Sequence, residues 1–309
     1  MTAASPLAVF GFSVESELRF RFLRAGVGED VLTVDEAPSD SMAQHDRPIH
    51  EWKFKDPTGD VSGSLHRSGS IYHFWSADAG WFRIDPGARH ITVPREADEA
   101  TRELRLWGVP TTLCAVDRGD VSLHAAAVDV GGAAVLLAAP GQHGKTTLAL
   151  AFHSLGHRML SEDVSCCHVA TTATLFPGPA SLRVRPDMFR GTAPDGTTVV
   201  AIKPDRVLLQ IDEARAGTAD PLPVRAILFL RQSEDEIRLE PVAKVRALPD
   251  LYALGFRIGG TDAAAESFAK ISRLAAGTAV WNLHRPLRVD ALEAVIACIA
   301  DAPFLRVRE

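Results

Sequence analysis

The chain has 309 residues, 46% of them hydrophobic and 23% charged, enough to bury a large core in one domain or two. A formal net charge of -6 and a pI near 6.0 argue against a dedicated nucleic-acid binder, whose surface is basic, but leave room for a local basic pocket. The opening MTAASPLAVFGFSVESE lacks a basic start and a long apolar stretch, and no later run approaches a membrane span, so the expectation is a cytoplasmic protein without a membrane partner.

In chain order, the first hundred or so residues alternate extended segments with turn signals. SELRFRFLR has period-two character, and GSIYHFW and GWFRIDPG are aromatic-rich runs bounded by Gly or Pro. These predict a small β-rich unit, with SDSMAQHDRP as a polar loop inside it. EADEATRELRLWGVPTTLCAVDRG then reads as helix, which Pro110 should kink or divide. SLHAAAVDVGGAAVLLAAPG reads as a hairpin turning at Gly-Gly, and KTTLALAFHSLG as a helix stopping at Gly156. RMLSEDVSCCHVA is expected to return as one strand. TTVVAIK, RVLLQI, RAILFLR and TAVWNLH predict further strands, and helices are expected near 241–256, 262–276 and 290–300. Domains are therefore expected at 1–115 and 116–309.

Four cysteines, Cys114, Cys166, Cys167 and Cys298, form no C-x-x-C pair and read as reduced and buried. A soft metal site from Cys166, Cys167 and His168 is the less favoured alternative, because zinc-type spacing separates its ligands.

The chemistry concentrates between residues 124 and 163. APGQHGKT matches the last three positions of the phosphate-binding (Walker A) template G-x-x-x-x-G-K-[ST] through Gly144, Lys145 and Thr146, while Ala139 takes the place of the first glycine. A strand feeding such a loop and then a helix aims backbone N–H groups and the positive end of the helix dipole at one spot, which suits a polyphosphate. Lys145 adds a full charge there, and the Thr146 hydroxyl is of the type that ligates Mg²⁺. A bare helix start is the competing explanation of GKTT. Ala139 is compatible with the loop if its φ is negative. Glu162 and Asp163 follow at the end of the next apolar segment; near a helix N-terminus, two adjacent carboxylates suit Mg²⁺ binding and acceptance of a hydroxyl proton, whereas SED alone would be a solvated turn. His124 is expected mid-strand, paired with the strand that leads into the loop, and in isolation would be a hydrogen-bonded core residue. Of the basic residues downstream, Arg183, Arg185, Lys203 and Arg206 could meet a γ-phosphate or an acidic acceptor, but a solvated strand face is the favoured expectation.

Residues 124–163 resemble the catalytic domain of HPr kinase/phosphorylase and, more closely, the HPr-kinase-like serine kinases of peptide-maturation clusters, including lasso-peptide tailoring kinases. The family order L-H-A-[SG]-x-V, G-x-S-G-x-G-K-[ST], a Gly-His or Gly-Tyr turn and D-D appears here without a gap as LHAAAV, APGQHGKT, LGHRML and SED. The resemblance implies an α/β fold, with a P-loop kinase domain of the HPr kinase/PEP carboxykinase-like type behind a small β-rich N-terminal domain. It implies ATP and Mg²⁺ as cofactors, with Gly141, Gln142, His143, Gly144, Lys145, Thr146 and Thr147 around the nucleotide, His143 through its backbone N–H. By the same resemblance Lys145 holds the β- and γ-phosphates, Thr146 and Asp163 the metal, and Glu162, supported by His124, takes the proton of the acceptor hydroxyl. The implied acceptor is a Ser or Thr of a peptide or small protein; a small-molecule alcohol kinase and a nucleotide-binding regulatory module are the alternatives. The chain departs from the family at Ala139, Gly141 and Gln142, which replace Gly, Ser and Gly, and at Glu162, which replaces Asp. It has no counterpart of the E-[IV]-R-G segment, so phosphorolysis is not carried over. The sequence does not set the oligomeric state, and a homo-oligomer is compatible with it.

Overall fold

The computed structural model describes residues 6–53, 59–189, 191–257 and 261–305, a mixed α/β structure with several sheets. The first sheet contains β1 (Leu7–Val9), β2 (Phe12–Glu15), β3 (Arg24–Ala25), β4 (Asp30–Ala37), β5 (His50–Lys53), β6 (Val61–Ser68), β7 (Ile71–Ser76), β8 (Gly80–Asp85) and β9 (His90–Pro94). They lie in the order β3-β1-β2-β4-β9-β8-β7-β6-β5. The aromatic-rich runs bounded by Gly or Pro form β7 and β8, as expected.

SELRFRFLR is not the strand its period suggests; only its last residue, Arg24, enters β3. Its backbone donors go elsewhere: the buried Glu103 carboxylate accepts the N–H groups of Arg21 at 2.9 Å and Phe22 at 2.8 Å, which removes the need for a ladder. The predicted loop SDSMAQHDRP contains a 3₁₀ turn, Ser39–Met42, that buries Met42.

Two helices follow, α1 (Glu99–Leu106) and α2 (Val109–Arg118). Asp98 caps α1 by accepting the Thr101 N–H at 2.9 Å. The predicted division at Pro110 occurs because proline fits the first turn of a new helix and not the interior of an old one.

The second sheet is built from β10 (Val121–Leu123), β11 (Ala125–Val130), β12 (Ala133–Ala138), β13 (Met159–Ser161), β14 (Ser165–Val169) and β15 (Ala173–Phe176), with α3 (Lys145–Ser154) between β12 and β13. A three-stranded sheet, β16 (Ser181–Val184), β17 (Thr197–Ile202) and β18 (Val207–Ile211), follows, with β18 in the middle and α4 (Pro186–Phe189) in its first connection. After α5 (Glu213–Ala216), the chain returns to the second sheet with β19 (Leu222–Gln232), β20 (Arg238–Pro241) and, beyond α6 (Lys244–Leu254) and α7 (Thr261–Gly277), β21 (Ala279–Arg285). The chain then forms α8 (Leu292–Ala300). The predicted helices at 241–256 and 290–300 are shorter, since β20 runs to Pro241 and a 3₁₀ turn, Val289–Ala291, precedes α8.

The Gly-Gly hairpin forms as predicted, with Val130 opposite Ala133 and φ of +65° and +81° at Gly131 and Gly132, the left-handed pair a two-residue turn needs. β12 is buried on both faces. Val135, Leu137 and Ala139 pack with α3 and α8, while Ala134, Leu136 and Ala138 pack with α6 and α7. It runs parallel to β19, which runs parallel to β21. The loop after β12 and the ends of β19 and β21 therefore share one edge, the carboxyl edge at which open α/β sheets bind ligands.

RMLSEDVSCCHVA forms two strands, β13 and β14, with Glu162 and Asp163 in the break. β13 pairs with β11 whereas β14 pairs with β10 and β15, so the segment changes partners at the acidic pair. His124 sits at the matching break between β10 and β11, not mid-strand as predicted, because its N–H is taken by Leu254 O at 2.8 Å. Cys166 and Cys167 are successive residues of β14, and strand alternation sends them into different core clusters. That geometry removes the soft metal alternative with His168, whose Nδ1 faces Asp120 at 3.2 Å.

Candidate functional site

The loop 139–144 leaves the fully buried β12 and enters α3 through Gly144, whose φ is +74° and which, as N-cap, offers no side-chain cap to the first turn. The helix N–H groups there are left for an outside acceptor. A Cβ on Gly144 would lie 2.6 Å from Nη2 at the tip of the Arg285 side chain, and it is the positive φ that calls for glycine at this position. Ala139 is buried and is not among the residues with positive φ, which is why a methyl group is accepted at that position.

Gln142 has φ +70°. It stands where the resembling family has glycine, and the loop keeps the left-handed turn at a cost of about 1 kcal/mol. Gln142→Gly is expected to change stability by less than about 0.5 kcal/mol, strain relief offsetting unfolded-chain entropy, while Gln142→Val costs about 1–2 kcal/mol more, because a β-branched residue resists positive φ. Urea unfolding of the two variants checks the difference.

Lys145 is buried, and its ammonium donates to Ala139 O at 2.8 Å, Pro140 O at 3.3 Å and His124 Nε2 at 2.9 Å. Because Nε2 accepts from Lys145, the proton of a neutral His124 ring sits on Nδ1, which lies 3.3 Å from Asp163 Oδ1. Burial lowers the His124 pKa; Asp163 opposes this and Lys145 adds to it. The carboxylate that His124 meets is thus that of Asp163, where the resemblance implies support of Glu162.

Glu162 instead meets Thr146, whose hydroxyl donates to Oε1 at 3.2 Å. Arg183, on β16, forks between the two acids: Nε donates to Glu162 Oε2 at 3.0 Å and Nη2 to Asp163 Oδ2 at 2.9 Å. Burial raises the Glu162 pKa, with Arg183 pulling against it. Burial also opposes charge on Asp163, but Arg183, His124 and Lys145 outweigh it and hold that carboxyl low.

The structure brings together His124, Lys145, Thr146, Glu162 and Asp163 in one circuit closed by Arg183. Gly141, Gln142 and His143 are exposed in the loop, His143 with Nδ1 3.0 Å from Gly141 O, and Thr147 is half-buried in the first turn of α3. The four basic residues separate. Arg183 does not project into water as expected, because two carboxylates hold it. Arg185 pairs with Asp187 on the surface, Arg206 donates to Asp205 O, and Lys203 donates to Thr101 Oγ1 at 2.9 Å, beside α1.

Arg285 was not legible as a site residue. It ends β21, is 2% exposed, and donates from Nη2 to His143 O at 2.8 Å, anchoring the loop across the sheet edge. The only sequence signal is a basic residue closing the apolar run TAVWNLH.

The donors fit the groups the resemblance implies. Thr146 and the two carboxylates are hard oxygen ligands, and Mg²⁺ is commonly held by one or two carboxylates together with substrate phosphates. Among the described residues no group of three or more His, Cys, Asp or Glu is placed to hold a metal ion. Among the same residues no helix is long and apolar enough to cross a membrane.

No family model matches the chain, and no curated protein matches it. Among solved structures the chain is similar to the Hpr(Ser) kinase/phosphatase from Coxiella burnetii, at 12% identity and a TM-score of 0.32, over 58% of this chain and 93% of that one.

Proposed function

We propose that the chain is an ATP-dependent phosphotransferase that moves the γ-phosphate to a hydroxyl group, with residues 116–309 as a P-loop catalytic domain of HPr-kinase-like type and 1–115 as a β-rich N-terminal domain. One observation carries this: a glycine-turned loop at the carboxyl edge of parallel strands places Lys145 and Thr146 at a helix N-terminus, with Thr146 bonded to an acid of the Glu162–Asp163 pair. A structural helix start would not need two adjacent carboxylates beside a Lys, a His and an Arg.

In this reading the N–H groups of residues 141–147 and the Lys145 ammonium hold the phosphates. Thr146 and one carboxylate of the acid pair would hold Mg²⁺, which would supply charge neutralisation on the transferring phosphoryl group. The acceptor oxygen bonds to phosphorus as the bond to the leaving ADP oxygen breaks, and the hydroxyl proton passes to a carboxylate of the pair. Such transfer depends on positioning and electrostatics, which the circuit around Arg183 provides. The motif order over 124–163 supports a Ser or Thr acceptor on a peptide or small protein, including a ribosomal natural-product precursor.

Mg·ATP is expected to raise the Tm, and Lys145→Ala to remove most of that rise, because a ligand of the folded state stabilises in proportion to its affinity. An equal rise in the variant would sink the assignment of the loop. Radiolabel from γ-labelled ATP on a Ser-containing peptide supports the kinase; ATP turnover with no labelled acceptor favours the regulatory module.

A further inference from the structure

Within the reading of the site as a nucleotide site, on which this step rests, the contacts divide the labour of the two acids. We infer that Glu162, with Thr146, faces the metal ion, and that Asp163, with His124 beside it, meets the acceptor hydroxyl. This is the reverse of the assignment that the family resemblance implies.

Three observations carry it. First, Thr146 is the hydroxyl at the phosphate end of the loop, and the carboxylate it touches is Glu162, at 3.2 Å. An ion bound to that hydroxyl therefore has Glu162 as the nearest anionic oxygen of the pair. Second, the Glu162 side chain is 9% exposed and the Asp163 side chain 41%. An acceptor arriving from solvent reaches Asp163, while Glu162 is shut behind Thr146 and Arg183. Third, besides Arg183, which both acids share, Asp163 meets the imidazole of His124, at 3.3 Å, itself tied to Lys145 at 2.9 Å. Asp163 is thus joined to the loop lysine through the imidazole, which sets the more exposed carboxylate of the pair beside the phosphate-binding loop. The extra methylene of Glu162 relative to the family's Asp agrees with this division: it extends the first carboxylate as far as Thr146. Arg183 forks between the two acids and keeps them in separate orientations.

The test uses the full chain and the non-hydrolysable analogue AMP-PNP, titrated by calorimetry in excess MgCl₂ and in EDTA. The readout is the factor by which Mg²⁺ tightens binding. Glu162→Gln is expected to reduce that factor at least tenfold, and Asp163→Asn to leave it within twofold of the unsubstituted chain. Thr146→Val should behave as Glu162→Gln does, and Thr146→Ser should restore the factor; this pair carries the test if the buried Glu162 variant fails to fold. With γ-labelled ATP and an acceptor peptide, Asp163→Asn should lower transfer on the order of 10²–10⁴-fold as expected of a lost general base. Loss of the Mg²⁺ factor in Asp163→Asn with retention in Glu162→Gln, or equal loss in both, overturns the inference while leaving the nucleotide site standing. If the unsubstituted chain binds AMP-PNP in neither buffer, the nucleotide reading itself fails and this inference falls with it.

Discussion

Arg24→Met is expected to cost about 3–5 kcal/mol of stability, the largest single loss outside the apolar cores, because it strips three buried carbonyl oxygens of their donor. Arg24 is 1% exposed; Nε donates to Gly178 O at 2.8 Å, Nη2 to Met159 O at 2.8 Å, and Nη1 to Ala216 O. A methionine fills much of the volume and carries no donor, so the loss reports the unmet carbonyls and not a cavity. Met159 opens β13, which ends just before Glu162, and Gly178 precedes the strand that carries Arg183. Under the proposed function the same substitution should therefore weaken nucleotide binding from a distance. Chemical unfolding measures the first effect, and a loss under about 1 kcal/mol would show that water replaces the guanidinium.

Arg183→Leu should lower stability by about 2–3 kcal/mol and, under the proposed function, remove phosphoryl transfer, since it leaves two adjacent carboxylates facing each other without their cation. The figure is held below that of a fully buried pair because the Arg183 side chain is 27% exposed and solvent shares the load. Arg183→Lys should recover less than half of the loss: an ammonium is a point charge and cannot fork to both acids as the guanidinium does. Paired unfolding curves for the two variants decide this, and full recovery by lysine would mean that charge alone matters at this position.

What the sequence revealed follows from how local each feature is. The Gly131–Gly132 turn, the start of α3 at Lys145 and its stop near Gly156 are set by φ and by helix-end chemistry, and these are written in adjacent residues. Lys145, Thr146, Glu162, Asp163 and His124 converge as their spacing suggested. The pairing inside that group was not legible, because it depends on where SED and His124 leave their strands, and both breaks are made by partners far along the chain. His124 gives its N–H to Leu254, and the ions of Arg183 lie 20 and 21 residues before it. Arg285 meets the loop across 142 residues, and no local pattern announces such a contact. SELRFRFLR misled for the converse reason, since its period was real but the Glu103 carboxylate satisfied its backbone.

The cysteines supply the chain with its own opening gauge. Cys114, Cys166 and Cys167 are buried, burial pushing the first two up to about 12 and the third upward as well, whereas Cys298 is only partly covered. A thiolate is the reactive form, so a thiol reagent at neutral pH should meet Cys298 first and the others only when the fold opens around them. Cys114 belongs to the core shared by α2 and the N-terminal sheet, while Cys167 points into the core beneath α6 and α7. Modification rates read cysteine by cysteine, by mass spectrometry of peptides, would thus report whether the N-terminal sheet and the second sheet open together or one before the other. Mg·ATP should slow the Cys167 rate by the same factor by which it stabilises the fold.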